Sequence, residues 1–137
     1  MITKKHIDEL TYEINAAAIE VHKSIGPGLL ESIYQKCLAK ELAIRGVAYK
    51  SELVIPLKYK GLDLESLNRC DFLVENLIVI ETKSIETLAP IHDAQLLSYM
   101  QQLQVPKGIL YNFNCENLLR KGQKTLVNKL FGQLPDN

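Results

Sequence analysis

An α/β architecture with a mixed sheet is expected for this chain of 137 residues, its elements running ααβββαβ and then into a tail. Three features point that way. Apolar positions recur at helical spacing up to about residue 45, read as strands from 47 to 83 with period-two alternation over 47–59, and return to helical spacing before one more apolar run. The length suits a single domain over residues 1–137, with a real core but too little chain for two ordinary ones.

Ile7, Leu10, Ile14, Ala17, Ala18, Val21 and Ile25 fall on one face of a first helix, with Asp8, Glu9 and Glu13 opposite and Thr3 as cap. Gly26-Pro27-Gly28 ends it. A second helix over about residues 29–45 carries Leu30, Ile33, Cys37, Leu38 and Leu42 and stops at Gly46. Tyr49, Leu53, Ile55, Leu57 and Tyr59 then alternate, which predicts a strand over 47–59 with Pro56 at an edge or bulge. Lys60-Gly61 turns into a second strand, best over 69–74. Glu75-Asn76 turns into a third over 77–83, whose LIVIE run is apolar enough for burial on both faces. Pro90 precedes a helix over about 92–103, and Pro106 and Gly108 introduce a fourth strand over about 108–112. Residues 116–130 fit neither period cleanly, apart from a turn at Lys121-Gly122.

The 16 basic and 16 acidic residues cancel, which argues against a non-specific coat for nucleic acid but leaves room for a local basic face. Cys37, Cys70 and Cys115 are odd in number and lack a CxxC pair, so a disulfide framework or structural zinc is not expected and a cytoplasmic protein is. Neither a signal-like start nor an apolar run of about 18 residues is present, so no membrane association is expected.

The chemistry concentrates in RCDFLVENLIVIETK, residues 69–83. Glu81 and Lys83 share one side of a strand, and Asp71 comes from the strand before. Two carboxylates with the carbonyl of Thr82 are hard oxygen donors suited to Mg²⁺ beside a phosphodiester, and Lys83 could orient or help deprotonate the attacking water. An ordinary strand end with solvated charges would show the same spacing. The register discriminates: for Asp71 to oppose Glu81, the turn must centre on Asn76. That predicts a loop of three or five residues with Asn76 near the left-handed region, or a bulge beside Asp71. A two-residue turn would pair Asp71 with Ile80 and separate the carboxylates.

Two helical segments add polar residues. Glu31 and Tyr34 share one side near the start of the second helix, where a carboxylate also complements the helix dipole. His92, Gln95 and Tyr99 form one stripe of the later helix, beside an apolar one of Leu96, Met100 and Leu103. Arg120, Lys121, Lys124 and Lys129 make the tail the most basic stretch, suited to phosphates or simply to solvent.

Taken in order, GPGLLESIY (26–34), RCDFLVENLIVIETKS (69–84), HDAQLLSYM (92–100) and GILYNF (108–113) resemble the GxxExxY family, a branch of the PD-(D/E)XK nuclease superfamily. The resemblance implies a restriction-endonuclease-like core, a central four-stranded mixed sheet flanked by helices in the order αβββαβ, with an extra N-terminal helix here. By position, Asp71, Glu81 and Lys83 match the aspartate, acidic residue and lysine of the motif. Glu31 matches a glutamate that can join the metal shell, and Gln95 a glutamine that recurs near the active site. Asp93 stands where glutamate is usual, and Thr82 in a variable slot often apolar. The function so implied is a Mg²⁺- or Mn²⁺-dependent nuclease acting on nucleic acid, DNA ahead of RNA, with a homodimer as one way to hold a duplex. A non-catalytic nucleic-acid-binding or protein-interaction domain on the same fold is the alternative.

Overall fold

The computed structural model describes residues 1–137, the side chain of Glu65 excepted. Helix α1, Lys4–Ile25, starts where the Thr3 hydroxyl accepts from the His6 N–H at 3.0 Å. It ends at Gly26, whose φ of 70° is open to glycine at little cost. Helix α2, Glu31–Ile44, buries Tyr34, Leu38 and Leu42. The Tyr34 ring stacks on Phe113 with centroids 4.6 Å apart. Its hydroxyl donates to the Gly26 carbonyl and accepts from the Leu29 N–H, so the Gly-Pro-Gly turn is locked to α2.

The first predicted strand is shorter than expected. Strand β1 covers Tyr49–Val54; Pro56, without a backbone donor, lies past its end, and the chain swings into a small hairpin of β2 (Lys58–Tyr59) and β3 (Leu62–Asp63). Strands β4 (Arg69–Val74) and β5 (Ile78–Lys83), helix α3 (Pro90–Leu103) and strand β6 (Lys107–Asn112) follow as the periodicity predicts. The tail then folds as a π-helical turn at Leu118–Gly122, a strand β7 at Gln123–Val127 and a short helix α4 at Lys129–Gly132. The sheet therefore has five strands where four were expected, in the order β1-β4-β5-β6-β7. The four predicted strands are adjacent, and β7 adds an antiparallel edge to β6. Only the β5–β6 pair is parallel, with α3 as its crossover.

Helices cover both faces. On one, α1 and α2 pack against Phe72, Val74, Ile78, Ile80, Ile109 and Tyr111. On the other, Leu96, Tyr99 and Met100 of α3 meet Cys70, Leu73, Val79 and Leu110. The result is a mixed α/β, restriction-endonuclease-like fold whose central strand β5 is buried on both sides, as LIVIE predicts. Among the described residues, no helix is long and apolar enough to cross a membrane.

Candidate active site

The β4–β5 hairpin sets the geometry. Val74 faces Ile78, so residues 75–77 form a three-residue loop, with Glu75 (φ 49°) and Asn76 (φ 57°) both left-handed. The turn centres on Asn76, as the register argument required, and the pairing extrapolates to Asp71 opposite Glu81.

Past Phe72 and Ile80, side chains take over from the ladder. The Asp71 N–H donates to Glu81 Oε2 at 2.7 Å, while the Thr82 N–H and hydroxyl both donate to Asp71 Oδ2 at 2.8 Å. Each carboxylate is thus held by the opposite strand, and the pair fills the gap between β4 and β5 instead of standing on one face as an ideal ladder would place it. The Lys83 carbonyl accepts from the Phe113 N–H at 2.9 Å on the β6 side. Alternation therefore turns the Thr82 carbonyl toward β4 and the carboxylates.

Charge gathers around this gap. Glu81 is only 4% exposed, and burial followed by the charge of Asp71 pushes its carboxyl up to about 8, against the pull of the Asp71 N–H and of Lys83. Glu31, the first residue of α2, is also raised by burial, with Lys83 and His92 drawing it down and Asp71 pushing it further up. Helix α2, the hairpin and the start of α3 therefore converge on one place, bringing Glu31, Asp71, Glu81, Thr82 and Lys83 together.

Gln95 lies at the side of this cluster, its amide nitrogen donating to the Tyr99 hydroxyl at 3.1 Å. Tyr99 in turn is raised by burial and then by Glu81, and buried Cys70, beside both carboxylates, is pushed up to about 12. Tyr99 is the neighbour that sequence reasoning left unassigned; its spacing of four from Gln95 on the polar stripe was the available signal. His92 caps α3, its Nδ1 accepting from the Ala89 N–H at 2.8 Å. Asp93 points elsewhere and pairs with Lys124 of β7 at 2.5 Å, which also ties down one of the basic tail residues.

The donor set fits a hard divalent cation. Asp71 and Glu81 are carboxylates, one of them buried against the charge of the other, and a cation would relieve that repulsion. Among the described residues, no group of three or more His, Cys, Asp and Glu side chains is placed to hold an ion unaided. Water and substrate phosphate would complete the shell, as is usual for Mg²⁺.

A pH signature follows. The folded chain keeps a proton on Glu81 up to about 8 where the unfolded chain loses it near 4.5. Between those values the folded state binds more protons, so the metal-free protein should lose stability as pH rises. A cation bound there would compete with that proton, so affinity for a divalent ion should climb by up to about tenfold per pH unit and level off above about 8. Thermal melts in chelator and in Mg²⁺ at about pH 5.5 and about pH 8.5 read both effects; a chelated protein that melts higher at the alkaline end would mean that Glu81 is ionised in the fold.

No curated protein and no solved structure matches the chain significantly. A family model does, described as PD-(D/E)XK nuclease superfamily and aligned over residues 8–126. That stretch runs from α1 into β7 and contains the whole carboxylate–lysine cluster, so the chain belongs to the PD-(D/E)XK nuclease superfamily.

Proposed function

We propose that the protein is a Mg²⁺- or Mn²⁺-dependent phosphodiesterase of the GxxExxY branch that hydrolyses nucleic acid, with DNA as the first substrate to test. The observation that supports this best is the pairing of Asp71 with the buried Glu81, cross-linked through the Asp71 and Thr82 N–H groups with Lys83 at its side. Asp71 and Glu81 bind the cation, with the Thr82 carbonyl and Glu31 as further oxygen donors. A divalent ion there supplies Lewis acidity and offsets charge on the phosphate. Lys83 orients the attacking water, takes part in its deprotonation and stabilises the developing negative charge. Gln95 and Tyr99 fix the α3 side of the cluster through their mutual hydrogen bond.

In this reading residues 1–137 act as one domain, in the cytoplasm that suits its free cysteines, and a homodimer provides the second contact a duplex needs. Calorimetric titration of Mn²⁺ into the wild type and Asp71→Ala comes first, followed by cleavage of labelled single-stranded and duplex DNA. The variant should bind no Mn²⁺, and Lys83→Ala should retain binding while losing cleavage by about 10²-fold or more. Full activity in either variant would overturn the assignment. Salt-sensitive DNA binding without cleavage under any metal would identify a binding module instead.

A further inference from the structure

Two independent patterns reverse at one level of the sheet. The first is hydrogen bonding between β1 and β4. The Glu75 N–H donates to the Ala48 carbonyl at 3.0 Å, and the Ile55 N–H donates to the Asn68 carbonyl at 2.7 Å. Opposed residues in an antiparallel ladder alternate between bonded and non-bonded pairs. Glu75 and Asn68 are an odd number of residues apart, so a regular ladder cannot bond both pairs. No residue is inserted to explain this: Ser51–Phe72 on one side and Leu53–Cys70 on the other keep the same register, and only the Glu52–Asp71 pair is missing.

The second pattern is side-chain direction. Phe72 and Val74 face the α1/α2 side and Leu73 the α3 side, yet Cys70, which alternation would send to α1/α2, packs on the α3 side. On β1, Tyr49 packs on the α1/α2 side and Leu53, two periods later, on the α3 side. Both strands turn over at Glu52 and Asp71. Glu52 has φ 49°, a left-handed backbone inside a strand, which is uncommon for any residue but glycine. Strain of this kind concentrates at functional sites.

We infer that Glu52 is a positioning residue: its left-handed backbone turns the Asp71 N–H away from β1 and onto Glu81, clamping the carboxylate pair in advance of the cation. The inference rests on Asp71 and Glu81 being the metal-binding pair. In a ladder continued from Ala48–Glu75, the Asp71 N–H would bond the Glu52 carbonyl. Glu81 would then lose its 2.7 Å donor, and the Asp71 carboxylate would leave the Thr82 N–H and hydroxyl. The Glu52 side chain is exposed, so the backbone carries the effect.

The test compares Glu52→Gly and Glu52→Asn, which accept a left-handed backbone, with Glu52→Val and the milder Glu52→Thr, which resist it. Two readouts are taken: the Asp71 amide proton shift, moved downfield by a carboxylate acceptor, and the Kd for Mn²⁺. Glycine and asparagine should preserve both. Valine, or threonine if valine does not fold, should move the amide upfield and weaken Mn²⁺ by about tenfold or more. A β-branched variant that melts lower but keeps the amide shift and the affinity would overturn the inference, as would equal losses in all four. Should the wild type bind no Mn²⁺, the metal reading fails, while the Asp71 amide still reports whether Glu52 positions it.

Discussion

Asp71→Asn is expected to abolish Mn²⁺ binding and reduce cleavage roughly a thousandfold, while leaving the metal-free protein as stable as the wild type or more so. Asparagine keeps an oxygen acceptor for the Thr82 N–H and hydroxyl, removes the like charge beside Glu81, and supplies an amide that Glu81 can accept. Above about pH 8, where Glu81 is ionised in the fold, relief of about 1 kcal/mol would raise the melting temperature by about 4 °C for a chain of this size. Alanine is a harsher change: Thr82 is fully buried, and leaving its donors unsatisfied costs about 1–3 kcal/mol. Calorimetry, melting and cleavage on the two variants separate loss of chemistry from loss of fold. A cleaving Asp71→Asn protein would remove Asp71 from the mechanism.

Gly122→Ala is expected to have the largest effect on stability. A Cβ at Gly122 would lie 2.3 Å from the backbone carbonyl oxygen of Asn112, 2.8 Å from Cys115 Sγ and 3.0 Å from Leu118 Cδ1. Backbone cannot give way as a side chain does, so about 3 kcal/mol and a fall in melting temperature of the order of 10 °C are expected. The damage would reach the site as well. The Asn112 side chain accepts from the Ile85 N–H at 3.1 Å and donates to the Ile85 carbonyl at 3.0 Å, pinning the segment just beyond Lys83. Urea denaturation measures the stability loss; an unchanged midpoint would show that the π-helical turn relaxes freely around the added methyl.

Much of this fold was legible because its core elements obey a single period each. LIVIE reads as a strand buried on both sides, and the stripe from Ile7 to Ile25 reads as a helix against a sheet. Strand β7 was not legible. In QKTLV only Gln123 and Leu126 turn inward, an edge pattern too sparse to distinguish from loop. The β2–β3 hairpin was hidden for another reason: Leu57 and Tyr59 continue the alternation past Pro56 although both are exposed. At the site, the spacing of Asp71, Glu81 and Lys83 and the centring of the turn on Asn76 came from sequence. The reversal at Glu52 did not, because the apolar residues Tyr49, Leu53 and Ile55 keep odd-numbered positions across it and glutamate carries no signal for a left-handed backbone.

That reversal also bears on the company this protein keeps. Strand β1 lies at the end of the sheet, where a regular row of free N–H and C=O groups would invite another chain to add itself. Left-handed Glu52 in the middle of β1 interrupts the row and puts a charge at the break, with the charge of Lys50 two residues before it. The distortion that aims Asp71 inward therefore spoils the outer edge as a template for aggregation. A homodimer of this chain would form through some other surface, not by zipping two sheets together along β1.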